Sequence, residues 1–155
     1  MKRTCILLVG VLLAVASGSA LASTGSGTPT ARPALFHTVE LRKTKLGKVL
    51  ATASGSILYE FTRDHLKQDA CAKISGCAEI WVALQAQGKP TVGAGLRASL
   101  LSTISLSGGG RQVTFAGHPL YIYAAAPTLT SYVGAKQFGG NWYAINAKGS
   151  AVKYL

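Results

Sequence analysis

Over residues 38–42 polar and apolar positions alternate in steps of two, the signature of a strand with one buried face. Thr38-Val39-Glu40-Leu41-Arg42 opens the pattern and Gly47 interrupts it. Residues 48–53 and 56–62 then flank Ser54-Gly55, a hairpin signal because glycine accepts the positive φ of a tight turn. On the second of these strands Ile57, Tyr59 and Phe61 share one face, and Leu58, Glu60 and Thr62 share the other. This assigns Tyr59 and Phe61 to core packing, where large aromatic surfaces are most stabilising.

Beyond Asp64 the period changes. Ile74, Cys77, Ala78, Trp81 and Leu84 fall three or four apart, which predicts a short helix anchored by Trp81 and ended by Gly88-Lys89-Pro90. Gly93-Ala94-Gly95 marks a loop, and residues 96–101 fit either a helical turn or a strand. A meander follows over 102–106, 111–115 and 120–123, turned at Gly108-Gly109-Gly110 and at Ala116-Gly117. Pro119 lacks an N–H, so the last of these is an edge strand or begins after it. Residues 124–137 read as loop, and 142–145 and 151–154 as a closing hairpin turned at Ala147-Lys148-Gly149.

One stretch recurs. Gly55-Ser56-Ile57-Leu58-Tyr59-Glu60-Phe61 returns 62 residues later as Gly117-His118-Pro119-Leu120-Tyr121-Ile122-Tyr123, with glycine, leucine and both aromatics at the same spacing. The prediction is a mainly β fold: two related β-hairpin or meander units sharing one core, with one short disulfide-tied helix between them.

The start of the chain alters what should be folded. Lys2 and Arg3 precede an apolar run over 5–16, and Ala20-Leu21-Ala22 ends the segment, the form of a secretory signal peptide cleaved after Ala22. The run is too short for a membrane span, which needs about 20 apolar residues, and no cysteine follows it to take a lipid. Residues 23–35, rich in Ser, Thr, Gly, Pro and Ala, form a flexible leader, leaving 36–155 as a single β-rich domain. The expected location is periplasmic or secreted, with no transmembrane segment in the mature chain.

Losing Lys2 and Arg3 takes the 16 basic residues to 14, against five acidic ones, a formal charge of +9. That balance suits anionic partners, here cell-envelope polymers. The densest basic cluster, Arg42, Lys43, Lys45 and Lys48, is short, and scattered basic residues also serve solubility. Secretion removes nucleic acid as an expected partner. Cleavage also removes Cys5, and the remaining pair, Cys71 and Cys77, reads as a disulfide in an oxidising compartment.

Several segments together carry a family likeness: Leu46-Gly47-x-Val49-Leu50, Leu58-Tyr59-x-Phe61-x-x-Asp64, Cys77-Ala78-x-x-Trp81, the run from Gln112 to Tyr121, and Trp142-Tyr143. In order and spacing they resemble the bacterial secreted-repeat family, described as predicted lipoproteins with a Y-x-[FWY]-x-x-D motif and of unknown function. The likeness covers about residues 45–149. It implies extracytoplasmic repeats with Tyr59, Phe61 and Asp64 as the motif and Tyr121 and Tyr123 as its second copy. The second copy has Ala126 in place of the acid, Val82-Ala83 replace a common Pro-Pro, and the lipid-anchor cysteine is missing.

Two jobs are open to Asp64. It can bond nearby backbone amides as an Asx-turn, or it can bind a ligand with Arg63 and His65 on a loop held by the scaffold. A metal site has only His37, His65 and His118 to draw on, without paired-ligand spacing, so neither metal nor cofactor is expected. There is no G-x-S-x-G elbow, no phosphate-cradling loop, and only five carboxylates, so no catalytic residues are assigned and the chain is not expected to be an enzyme. The leading expectation is a non-enzymatic binding or structural domain of the cell envelope. The alternative is a periplasmic metal-binding or electron-transfer accessory protein using Asp64, His65 and His118.

Overall fold

A computed structural model describes residues 38–125 and 132–153. The predicted signal peptide, the leader, His37, Ala126 and Tyr154 lie outside the described residues.

The fold is mainly β with antiparallel sheets, as the alternation predicts. Among the described residues the strands are β1 (Glu40–Thr44), β2 (Gly47–Ala51), β3 (Tyr59–Phe61), β4 (Trp81–Ala83), β5 (Leu101–Ser105), β6 (Arg111–Phe115), β7 (His118–Pro119), β8 (Tyr121–Tyr123), β9 (Ala135–Gln137), β10 (Gly140–Ile145) and β11 (Ala151–Val152). One helical turn, α1 (Cys77–Ile80), follows a 3-10 turn at Cys71–Lys73, and the Cys71–Cys77 disulfide ties the two.

The two units are arranged alike. In the first, β1 pairs with β2, Ile57 bridges back to Ala51, and the chain passes on into β3. In the second, β5 pairs with β6, β7 folds back on β6, and the chain passes on into β8. Gly55 and Gly117 occupy the matching turns with φ of 95° and 87°, a region that residues with a Cβ rarely adopt. Pro119 lies on β7, an edge strand, and β8 begins after it.

The units interlock in the central sheet, whose order is β11-β10-β3-β8-β4 with β9 on β10. Tyr59 stands directly opposite Tyr121. On either side of that pair the aromatic strand of one unit meets the tryptophan strand of the other: Phe61 faces Trp142, and Tyr123 faces Trp81. Trp81 and Trp142 then stack at 3.9 Å between ring centroids and within 2° of parallel, with Phe61 stacked on the far side of Trp142 at 4.1 Å. Tyr59, Phe61, Tyr121 and both tryptophans are almost fully buried in one core cluster. Leu58, Leu120, Val113, Phe115 and Ile145 build a second cluster. Strict alternation along 57–61 thus serves two cores, and even Glu60 is buried.

Three expectations are corrected. The helix is one turn long and stops at Ile80, so Trp81 anchors a strand. Its spacing from Cys77 suits a helix, but a single turn is costly to nucleate, and Trp81, Val82 and Ala83 find ladder partners in Tyr123, Ile122 and Tyr121. Gly47, read as a break, begins β2 just after a tight turn, where φ is 87°. Residues 135–137, read as loop, form β9, hairpinned to β10 through Phe138 and Gly139, both at positive φ. The undecided stretch 96–101 is both things in turn, a 3-10 turn at Ala98–Leu100 and then the start of β5.

Candidate functional site

After Phe61 the chain leaves the sheet and forms a loop that runs to the disulfide. Its start is fixed by Asp64 N–H donating to Phe61 O, and its crest by Lys67 N–H donating to Gly117 O at 2.8 Å, with Lys67 at φ 63°. Its end is fixed by the buried cystine, which packs in the aromatic core.

Asp64 turns inward beneath this loop. Its Oδ1 accepts the Ala70 N–H at 2.8 Å, six residues on, so it spans the loop and does not make the local Asx-turn. Its Oδ2 lies 2.9 Å from the hydroxyl oxygen of Tyr121, and the same hydroxyl lies 2.8 Å from Asp69 Oδ1. Asp69 Oδ1 also accepts the Ala72 N–H at 2.8 Å. Burial pushes the Asp64 carboxyl up to about 7. The Ala70 N–H and the Tyr121 hydroxyl oppose this, and the charges of Asp69 and Glu60 add to it. Burial likewise raises the Tyr121 phenol, and both carboxylates reinforce it. The motif tyrosine of the second unit therefore secures the loop of the first. The exchange is mutual, because Tyr59 OH accepts the N–H of Tyr132 from the second unit's loop.

The outer side of the loop carries the cations. An open cleft of about 290 Å³ is walled by Arg63, His65, Gln68, Asp69, Lys73 and Ile74. A second, about 230 Å³, lies between Lys67, Gln68 and Lys73 on the loop and Ile104, Ser105 and Ser107 at the end of β5. Arg63 is partly committed, since its Nη1 donates to Phe138 O at 2.9 Å. Asp69 faces both clefts, but its Oδ1 is taken up by Tyr121 and Ala72.

The sequence-predicted residues do not converge on one centre. His65 is exposed at the cleft while Asp64 points into the protein. His118, on β7, faces Glu60 instead, with Nδ1 3.1 Å from Oε2. Burial raises the Glu60 carboxyl, opposed by His118 and Lys153. Tyr123 packs on Trp81 and Tyr132 as part of the aromatic core. Among the described residues no three His, Cys, Asp or Glu side chains come together as metal ligands would, and no helix is long and apolar enough to cross a membrane.

The chain matches no protein-family model, no curated protein and no solved structure. The loop is where cationic side chains meet open clefts. Its useful residues include three that spacing rules did not single out: Lys67, Asp69 and Lys73. The available signal was their place between the motif acid and the first cysteine, in a segment with turn chemistry and no hydrophobic period.

Proposed function

We propose that this protein is an extracytoplasmic, non-enzymatic domain that binds anionic polymers of the cell envelope, using the loop from Arg63 to Lys73. One observation carries the reading: a loop pinned at its start, crest and end presents Arg63, His65, Lys67 and Lys73 to two adjoining open clefts. Cations held on a rigid loop lose little conformational entropy on binding and can follow the repeating charges of a polymer. The basic balance of the whole chain would hasten encounter with such a partner.

Export through the N-terminal signal, followed by cleavage after Ala22, belongs to the same proposal. It is supported by the basic and apolar order of residues 2–16 and by a disulfide of the kind that oxidising compartments permit. Membership of the secreted-repeat family is proposed on the motif residues, which here hold the loop and the core. The test is co-sedimentation of the mature protein with purified peptidoglycan or lipopolysaccharide. Binding at low ionic strength that fades as salt is added supports the proposal; protein left in the supernatant at low ionic strength refutes it.

A further inference from the structure

The Tyr121 hydroxyl has one hydrogen and two carboxylates within hydrogen-bond distance, Asp64 Oδ2 at 2.9 Å and Asp69 Oδ1 at 2.8 Å. If both acids were ionised, the phenol could donate to only one, and its lone pairs would face the other charged oxygen at contact distance. The arrangement is satisfied when one carboxyl carries a proton. Asp69 Oδ1 also accepts the Ala72 N–H, so it is the natural acceptor end. The Oδ1 of Asp64 takes the Ala70 N–H, which leaves Oδ2 with the phenol. A proton on Asp64 Oδ2 can be donated to the Tyr121 oxygen, whose own hydrogen can then go to Asp69 Oδ1.

We propose that Asp64, Tyr121 and Asp69 form a one-proton latch that keeps the cationic loop in its binding shape, so that anion capture strengthens as pH falls and weakens as the proton leaves. The link to capture rests on the function proposed above; the latch itself does not. Asp69 connects the two, because the oxygen that meets Tyr121 also fixes the 3-10 turn Cys71–Lys73, which carries Lys73 to both clefts. Loss of the proton sets two charged carboxylates against one phenol and frees Asp69 to move.

The groups around the latch pull on the Asp64 proton in both senses, and burial decides the balance. Asp69 on the loop and Glu60 on β3 disfavour charge on Asp64, and Tyr121 on β8 and the Ala70 N–H favour it. Glu60 is itself faced by His118 of β7 and by Lys153. Arg63, His65, Lys67 and Lys73 stand on the outer side, at the clefts. Burial holds Asp64 up to about 7 from an ordinary 3.8. A carboxyl raised on folding stabilises fully below its unfolded value, and that stability is lost as pH rises through the folded value. The latch should therefore be closed at about pH 5 and open by about pH 8.

The test compares the protein with Asp64→Asn, both in a His65→Gln background so that the imidazole at the cleft does not contribute. Asparagine copies the protonated acid: its oxygen can accept from Ala70 and its amide can donate to Tyr121. Thermal midpoints are measured from pH 5 to 8 without ligand, and binding of inorganic polyphosphate, whose internal charges do not change over this range, is measured at low ionic strength. The 13C resonance of the Asp64 carboxyl in the unsubstituted protein gives a third readout that needs no variant. Expected are an Asp64 carboxyl midpoint near 7, a thermal midpoint that falls with pH and is flatter in Asp64→Asn, and polyphosphate affinity roughly tenfold higher at pH 5.5 than at pH 8, with the loss at pH 8 largely restored by Asp64→Asn. Parallel thermal curves, or a carboxyl midpoint near 4, overturn the latch. A latch that titrates while affinity stays level overturns its coupling to capture. Absence of polyphosphate binding at every pH counts against the proposed function and leaves the latch to be judged on the ligand-free measurements.

Discussion

Tyr59 and Tyr121 are the same residue of a repeated motif, and each is used by the opposite unit. Tyr59 OH receives a backbone N–H from Tyr132, whereas Tyr121 OH meets two carboxyl groups of the first loop. Tyr121→Phe keeps the ring, which packs edge-on against Trp142, and removes only the hydroxyl. It should cost about 1–3 kcal/mol, the usual effect of stranding buried polar partners, measured by urea unfolding near pH 7. A change within about 0.5 kcal/mol would mean that the hydroxyl contributes little. Strand alternation alone placed Tyr59 and Phe61 in the core, because a period of two is a local property of the backbone. It could not show the partner of Asp64, because Tyr121 lies 57 residues away and the contact depends on how the two units meet.

At the scale of elements, the disulfide is the clearest control on the loop. It closes a short ring from Cys71 to Cys77, and the chain-entropy estimate for so small a ring is about 2 kcal/mol. Reduction should add the mass of two hydrogens and lower the unfolding free energy by about that amount. Because the cystine also ends the cation-bearing loop, reduction should weaken polymer capture more than it alters the far-ultraviolet dichroism of the strands. The β9–β10 hairpin gives a second prediction. A Cβ added at Gly140 would lie 2.6 Å from Phe61 Cε2 and 2.9 Å from Arg63 Cγ, so Gly140→Ala should destabilise by about 1–3 kcal/mol, read from the shift in urea midpoint. These elements differ in how openly the sequence announces them. The glycine turns at 55, 108–110 and 117 are visible because few residues tolerate positive φ. Trp81 misleads, because its four-residue offset from Cys77 imitates a helix while long-range pairing with β8 makes it a strand.

At the scale of the whole molecule, neither unit completes its own sheet. β3 pairs with β10 and β8 with β4, so the aromatic strand of each unit relies on the tryptophan strand of the other, and the two tryptophans stack where the units meet. Unfolding should be a single transition, with tryptophan fluorescence and far-ultraviolet dichroism giving coincident curves. Trp142→Leu should lower stability by about 3–5 kcal/mol, comparable with other large core truncations, and the curves should still coincide. The repeat by itself predicts two related units in one core, but not this exchange of partners, since similar motifs are equally compatible with each unit pairing its own strands.

The functional claim at this scale is that capture belongs to the Arg63–Lys73 loop and not to the basic surface in general. Lys73→Glu reverses a charge at both clefts, and Lys89→Glu makes the same change at a residue that lines neither. The decisive measurement is co-sedimentation of these two variants and the unaltered mature protein with envelope polymer at low ionic strength. Strong loss for Lys73→Glu with near-normal binding for Lys89→Glu is the predicted result. Equal loss in both variants, or no loss in either, would contradict the assignment of the loop.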